Sequence, residues 1–437
     1  MNRIFSCAAL LALMCLLGAC SSSGPEITGA TISDGDPVVG QRVLLRVYAK
    51  SDNPPLRYIW SGSGGVFQSS DDDFRSGELT DQYSVYWIPT SPGNPTIRCT
   101  VVDDEDEDEI YEFPTEVGAR TLEDLEAEDQ VVLMTKNPRA MIGGIMAAIQ
   151  NHNIMYYSAT DTLDYDWGES YFDWSLPENP LNAMIISSTS SYYYTVSYVW
   201  AVYKNSSDKW KIVVRGSSDD ENYDCDFTID GDNPVTKVNK IGVNGTVIWV
   251  GTDNGLYAFS SSGETWSGPV ELEEGVTYID VKDIYVAHGF IYVATPTGIY
   301  FTEDNGGTWE KFNDTWDTKV LTAYYDINNE TVRVYALTEE GDGSATYTIR
   351  CFNKHGDRQT APGYPPDSYD WIESLDTDPL GNLWFGKWTW NADDGWENPG
   401  NIDDTDDHIV RSTVSPEGLV YLLTATGELN VWGKKED

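Results

Sequence analysis

A ten-residue phrase recurs at a fixed interval, and no other feature limits the possible folds as tightly. Ile248-Trp249-Val250-Gly251-Thr252-Asp253-Asn254-Gly255-Leu256-Tyr257 aligns with Ile291-Tyr292-Val293-Ala294-Thr295-Pro296-Thr297-Gly298-Ile299-Tyr300 at an offset of 43, and Trp266 and Trp309 keep that offset. Shorter copies follow at Val334-Tyr335-Ala336-Leu337-Thr338, Leu383-Trp384-Phe385-Gly386 and Val420-Tyr421-Leu422-Leu423-Thr424. Two precede it, at Met155-Tyr156-Tyr157-Ser158 and Val199-Trp200-Ala201. The anchoring aromatics Tyr156, Trp200, Trp249, Tyr292, Tyr335, Trp384 and Tyr421 are thus 37 to 49 residues apart. A unit of that length holds four short strands and buries its faces only against its neighbours. Seven anchors predict seven such units over residues 118–437, the blades of a β-propeller.

Thr302-Glu303-Asp304-Asn305-Gly306-Gly307-Thr308-Trp309 follows the pattern Ser/Thr-x-Asp-x-Gly-x-Thr-Trp, and so resembles the Asp-box of sialidase-like and BNR propellers. Residues 244–257 are similar to the repeat of two-component-regulator-type propellers. The preceding unit has a worn Asp-box, Ser261-Ser262-Gly263-Glu264-Thr265-Trp266, without the Asp. The resemblance gives Thr302, Asp304, Gly306, Thr308 and Trp309 a structural role. Asp304 is expected to hold N–H groups of its own loop, with Trp309 covering the turn. Gly255 and Gly298 are expected to supply positive φ at hairpin turns. Val131 to Met134 reads as the strand that closes the ring, and Met141 to Gln150 as a short helix.

Upstream, residues 26–117 carry short alternating runs, with turn signals such as Asn53-Pro54-Pro55 and Ser91-Pro92-Gly93-Asn94-Pro95 between them. Such spacing predicts a β-sandwich. The phrases Tyr58-Ile59-Trp60-Ser61, Tyr86-Trp87-Ile88-Pro89 and Arg98-Cys99-Thr100-Val101-Val102-Asp103 resemble bacterial immunoglobulin-like or PKD-type domains, although Cys99 lacks a partner cysteine. The fold class is therefore all-β, an immunoglobulin-like sandwich followed by a propeller. An acidic run, residues 103–109, falls on a predicted hairpin tip. Asp103, Asp104, Asp106 and Asp108 are candidate Ca²⁺ ligands, since hard carboxylate oxygens suit that ion. A solvated loop held open by repulsion is the other reading. No other cofactor is implied.

The first residues are an address. Residues 1–19 read as a signal peptide whose apolar stretch is too short to stay as a membrane span. It ends in Leu17-Gly18-Ala19-Cys20, which resembles the bacterial lipobox. That resemblance makes Cys20 the lipidated N-terminus, residues 20–25 a tether, and the outer membrane the destination, with lipid the only membrane attachment. Cys99, Cys225 and Cys351 then remain, as buried thiols or with a Cys225–Cys351 bridge.

With 71 acidic and 27 basic residues the net charge is −44. That field leaves no phosphate-neutralising groove, so nucleic acid is excluded as a partner. No nucleophile elbow, P-loop or dinucleotide fingerprint occurs. Arg215, Arg333 and Arg350 fall in no motif that maps to a sialidase arginine triad. The expected function is non-catalytic binding or scaffolding at the envelope, with an envelope protein or a glycan as partner. A glycan-binding propeller, or a glycosidase of the sialidase-like type, is the alternative. Trp384, Trp388 and Trp390 are the candidate sugar platform, because flat aromatic faces stack on pyranose rings.

Overall fold

The computed structural model describes residues 24–69, 83–125 and most of 234–435, with the strands and a few adjoining residues between 132 and 227. Cys20 and Cys225 lie outside the described residues. Every element among the described residues is a β-strand, and no helix there is long and apolar enough to cross a membrane.

Among the described residues, seven strands form the first unit: β1 (Glu26–Ile32), β2 (Val43–Lys50), β3 (Arg57–Gly62), β4 (Gly65–Ser69), β5 (Ser84–Pro89), β6 (Ile97–Val102) and β7 (Asp108–Phe113). They pair antiparallel in two sheets, ordered β1-β2-β5-β4 and β3-β6-β7. Side chains alternate across a strand. Val43, Leu45, Val47, Val85 and Trp87 therefore leave the first sheet on one side and meet Trp60, Ile97, Cys99, Val101 and Phe113 from the second. The result is a sandwich with one core. Strand β4 is illegible in the sequence because it begins in glycine. A Cβ on Gly65 would lie 2.3 Å from Trp87 Nε1, so the missing side chain is what admits the indole.

Among the described residues, the rest of the chain forms seven antiparallel sheets. Sheet I holds Val132–Leu133, Ile145–Gln150, Asn153–Ser158 and Trp174–Ser175; sheet II runs from Asn182–Ser191 to Asp220–Asp224. Sheet III runs from Val238–Asn244 to Thr265–Ser267, and sheet IV from Asp283–Ala287 to Glu310–Lys311. Sheet V has three strands, Asp317–Asp326, Thr331–Glu340 and Thr346–Asn353. Sheet VI runs from Asp376–Thr377 to Gly395–Glu397, and sheet VII begins with Ile409–Val414. The first strands of sheets II to VII touch in succession, which makes them the inner strands of a radial stack.

Packing explains why the repeated phrase lacks alternation. Ile248 and Val250 face sheet II, whereas Trp249 of the same strand faces sheet IV. Tyr292 likewise faces sheet V, Tyr335 sheet VI and Trp384 sheet VII. Both faces of each second strand are covered, so the strand is apolar throughout. Each of these anchors fills the gap to the sheet that follows. Gly255 (φ 114°) and Gly298 (φ 130°) adopt the turn conformations that only glycine reaches easily.

Two expectations are corrected. The strand joining the two ends of the repeat region is β8 (Arg120–Leu125), which pairs with Leu429–Lys435 as the outer strand of sheet VII. Val132–Leu133 instead pairs with Ile145–Gln150. That second segment is a strand and not a helix. Helix-forming Met146, Ala147 and Ala148 are overruled by their pairing with Tyr157, Tyr156 and Met155, and Ala148 also pairs with Leu133 on its other side. β8 escaped notice because Arg120, Glu123 and Asp124 give it no apolar run.

The sandwich docks on sheets VI and VII. Gln68 Nε2 donates to Pro379 O at 2.7 Å. Arg120 enters between Gly40, Gly418 and Gly433, donating through Nη2 to Gly418 O. Burial pulls its guanidinium down to about 10, with Asp378 opposing the shift. A Cβ on Gly418 would strike Gly40 O at 2.2 Å, so the two units meet at backbone distance.

Candidate functional site

The Asp-box forms a closed loop after the strand Gly298–Thr302. Thr302 Oγ1 donates to Asp304 Oδ1 at 2.7 Å. Thr308 donates twice, N–H to Oδ1 and Oγ1 to Oδ2, both at 2.8 Å. These bonds from Thr302 and Thr308 hold the Asp304 carboxyl down at about 2. Asn305 and Gly306 take positive φ, 57° and 88°. A Cβ on Gly306 would lie 2.3 Å from Trp249 Cη2, so the loop rests on the preceding sheet's indole. Trp309 meets Trp249 edge-on, centroids 5.6 Å apart. The motif thus clips sheet IV to sheet III.

Trp384 and Trp390 are 2% and 6% exposed and have no ring face to offer a sugar. Trp384 fills the gap to sheet VII and donates from Nε1 to Asp378 Oδ2 at 3.4 Å. Trp390 meets Tyr335 edge-on in the core between sheets V and VI. Trp388 is half-buried. Trp384 and Trp390 are core, because strands covered on both sides collect aromatics for packing.

The acidic run is held by its own first residue. Asp103 is fully buried. Its Oδ1 accepts the N–H groups of Glu105 and Glu107 at 3.0 and 3.1 Å, and its Oδ2 accepts Ser51 Oγ at 3.0 Å. Asp104 donates its N–H to Asn53 O, Asp106 pairs with Arg57 at 2.6 Å, and Asp108 starts β7 opposite Val102. The four carboxylates do not converge. Among the described residues no group of three or more His, Cys, Asp or Glu side chains is placed to hold a metal.

Two carboxylates that sequence reasoning missed join successive inner strands. Asp283 Oδ2 accepts the N–H of Leu321, and Asp376 Oδ2 the N–H of Val414, each at 2.8 Å and each across 38 residues. Thr413 Oγ1 also donates to Asp376 Oδ2 at 2.8 Å. Both aspartates stand eight or nine residues before an anchor, at the start of a strand. That position was the available signal.

Basic side chains gather near the same strand starts. Lys240 pairs with Asp283 at 3.2 Å. Lys282 and Lys319 share Asp317, and Lys319 also reaches Glu339 at 2.8 Å. Burial and the adjacent Lys319 pull the Lys282 ammonium below its ordinary value, against the attraction of Asp317. Burial opposes the charge of Lys319 as well, but Asp317 and Glu339 prevail and raise it. The same two lysines lower Asp317 against its burial.

A two-sheet sandwich docked on a radial stack of antiparallel sheets defines an all-β protein of the β-propeller class. No family model and no curated protein matches the chain. Among solved structures, the extracellular domain of a putative one-component system from B. thetaiotaomicron matches 73% of the chain at 16% identity and a TM-score of 0.47. The match spans 40% of that protein. The extracellular domain of a putative hybrid two-component system from B. thetaiotaomicron matches 93% of the chain and 62% of its own length, at 12% identity and a TM-score of 0.46. Streptogramin B lyase matches 72% of the chain and 97% of its own length, at 11% identity and a TM-score of 0.46.

Proposed function

We propose that the protein is an exported, non-catalytic binding and assembly module, held at the outer membrane by lipid on Cys20. In this reading residues 26–117 are an immunoglobulin-like domain and residues 118–437 a seven-bladed propeller that carries the partner surface. The orders β1-β2-β5-β4 and β3-β6-β7 support the first assignment, being those of a constant-type immunoglobulin sandwich. Seven sheets, with the outer strand of the last supplied from the start of the region, support the second.

One observation carries the non-catalytic reading. The well-placed carboxylates spend their oxygens on the fold. Asp304 holds Thr302 and Thr308; Asp376 holds Thr377, Thr413 and Val414. Asp378 holds Leu380, Asn382 and Trp384. A general acid or base needs an oxygen facing its substrate, and these three carboxylates turn theirs to the fold, which supports the binding reading.

The test is affinity capture from envelope extracts with the full chain, beside a panel of chromogenic glycosides. A saturable envelope partner and no turnover is the expected outcome. Glycoside turnover that tracks the protein through purification overturns the reading. Cys20→Ala moves the protein from the membrane to the soluble fraction if lipid is the anchor.

A further inference from the structure

The chain passes from the sandwich to sheet VII almost without a linker. Val117 lies in the sandwich core and exchanges two backbone hydrogen bonds with Gly93, at 2.7 and 2.9 Å. Gly118 is bound through both of its polar groups. Its N–H donates to Pro37 O at 2.8 Å, and its C=O accepts the N–H of Val39 at 3.2 Å. Arg120, two residues on, already pairs with Lys435 as the first residue of β8. Two residues span at most about 7 Å, so the seat of the sandwich decides where β8 begins.

The residue that opens β8 also fills the contact between the two units. A Cβ on Gly40 of the sandwich would lie 3.2 Å from Arg120 Cζ, and one on Gly433 of sheet VII 3.1 Å from Arg120 Nη2. Gly40 is itself fixed to β5, its N–H donating to Pro89 O at 2.7 Å. The hydrogen bond from Arg120 to Gly418 O and that from Gln68 to Pro379 O complete the hold. β8 has little hold of its own. Of its six residues only Leu122 and Leu125 are apolar, and a bulge between Trp432 and Lys434 interrupts its ladder. A weak strand stays in place while a short tether to a docked body keeps its effective concentration high.

We infer that β8 is a strap whose hold on sheet VII is set by the docking of the sandwich, so that undocking and release of β8 are one event. Release leaves Leu429–Lys435 as an edge strand with unpaired backbone groups. The sandwich therefore serves as the clasp of the last sheet, and is more than a separate core in front of the repeats. Coupling of this kind shows as a change in the opening of one element when only the other is altered.

Hydrogen–deuterium exchange of the full chain, read by mass spectrometry on peptides, tests the strap at Leu429–Lys435. Gly40→Ala lies entirely on the sandwich, where it strains a left-handed φ of 77° and presses on Arg120. It should speed exchange at Leu429–Lys435 about tenfold, the equivalent of one strained residue. Gln68→Ala removes the bond to Pro379 O and should speed that exchange about fivefold. Gln68 stands outside the sandwich core, so this variant keeps the test valid if Gly40→Ala does not fold. Gly64→Ala strains a similar φ of 71°, but its Cβ meets only Pro95 and Ser91 of the sandwich. It should leave Leu429–Lys435 at the wild-type rate, and Val247–Thr252 of sheet III should be unchanged in all three. Wild-type exchange at Leu429–Lys435 in both Gly40→Ala and Gln68→Ala overturns the inference. So does equal acceleration by Gly64→Ala, or equal acceleration at Val247–Thr252, either of which shows general loosening in place of a strap.

Discussion

Removing the Asp376 carboxylate is expected to loosen the contact between sheets VI and VII by an amount the geometry sets. Its oxygens accept Thr377 N–H, Thr413 Oγ1 and Val414 N–H, all at 2.8 Å. In Asp376→Ala all three lose this acceptor. The threonine hydroxyl can rotate towards another oxygen, but the two backbone N–H groups cannot. Val414 is fully buried, so no water replaces the carboxylate there. A buried donor left unpaired costs about 1–3 kcal/mol, so Asp376→Ala should destabilise by about 2–4 kcal/mol. Asp376→Asn keeps one carbonyl oxygen and should cost about 1 kcal/mol. Thr413→Val removes a donor that shares this acceptor. A cycle of Asp376→Ala with Thr413→Val should therefore show coupling of about 0.5–1.5 kcal/mol. The assay is urea unfolding of the full chain followed by tryptophan fluorescence, read as a shift in midpoint at constant slope. If Asp376→Ala lies within about 0.5 kcal/mol of wild type, the level of an ordinary surface change, the carboxylate is not the brace described.

Gly306→Ala should destabilise by about 2–4 kcal/mol, combining a left-handed φ with a collision on Trp249. Gly275→Ala, also at positive φ but with nothing within 4 Å, should cost only about 1 kcal/mol; equal losses in thermal melts would refute the packing role. Because the folded Asp304 carboxyl lies at about 2, below an unfolded value of about 3.9, its stabilisation is complete above that unfolded value. It is lost as pH falls through about 2. Melting temperatures from about pH 5 to about pH 2 should therefore fall less steeply in Asp304→Asn than in wild type, and parallel profiles would contradict the assignment. Burial pushes the thiols of Cys99 and Cys351 up to about 12. Peptide mapping after iodoacetamide at about pH 8 should find both unlabelled in the native protein and labelled after unfolding, since the thiolate is the reacting form.

The repeat, its period and the aromatic anchors were legible without coordinates, because each anchor has the same local task in every unit. Ile248-Trp249-Val250 and Ile291-Tyr292-Val293 announce strands buried on both sides, and hydrophobicity alone carries that message. The Asp-box was equally local: Thr302, Asp304 and Thr308 bond within one loop, so their spacing already encodes the turn. Illegible features were those whose meaning lies in a residue far along the chain. β8 is polar, and only its pairing with Leu429–Lys435 makes it a strand. Trp384 and Trp390 read as a platform until neighbouring sheets were seen to cover them. Asp103 read as a ligand until Ser51 and two N–H groups were found on its oxygens.

The chain alone determined the class, all-β and repetitive, with one dense acidic hairpin. Tertiary structure decided which polar groups are spent inside and which face outward. Burial and hydrogen bonding depend on what a distant segment brings alongside. Asp283 and Asp376 look like any of the other acids until Leu321 and Val414 arrive 38 residues later. Lys282 likewise reaches Asp317, 35 residues later, only because sheets IV and V stack side by side.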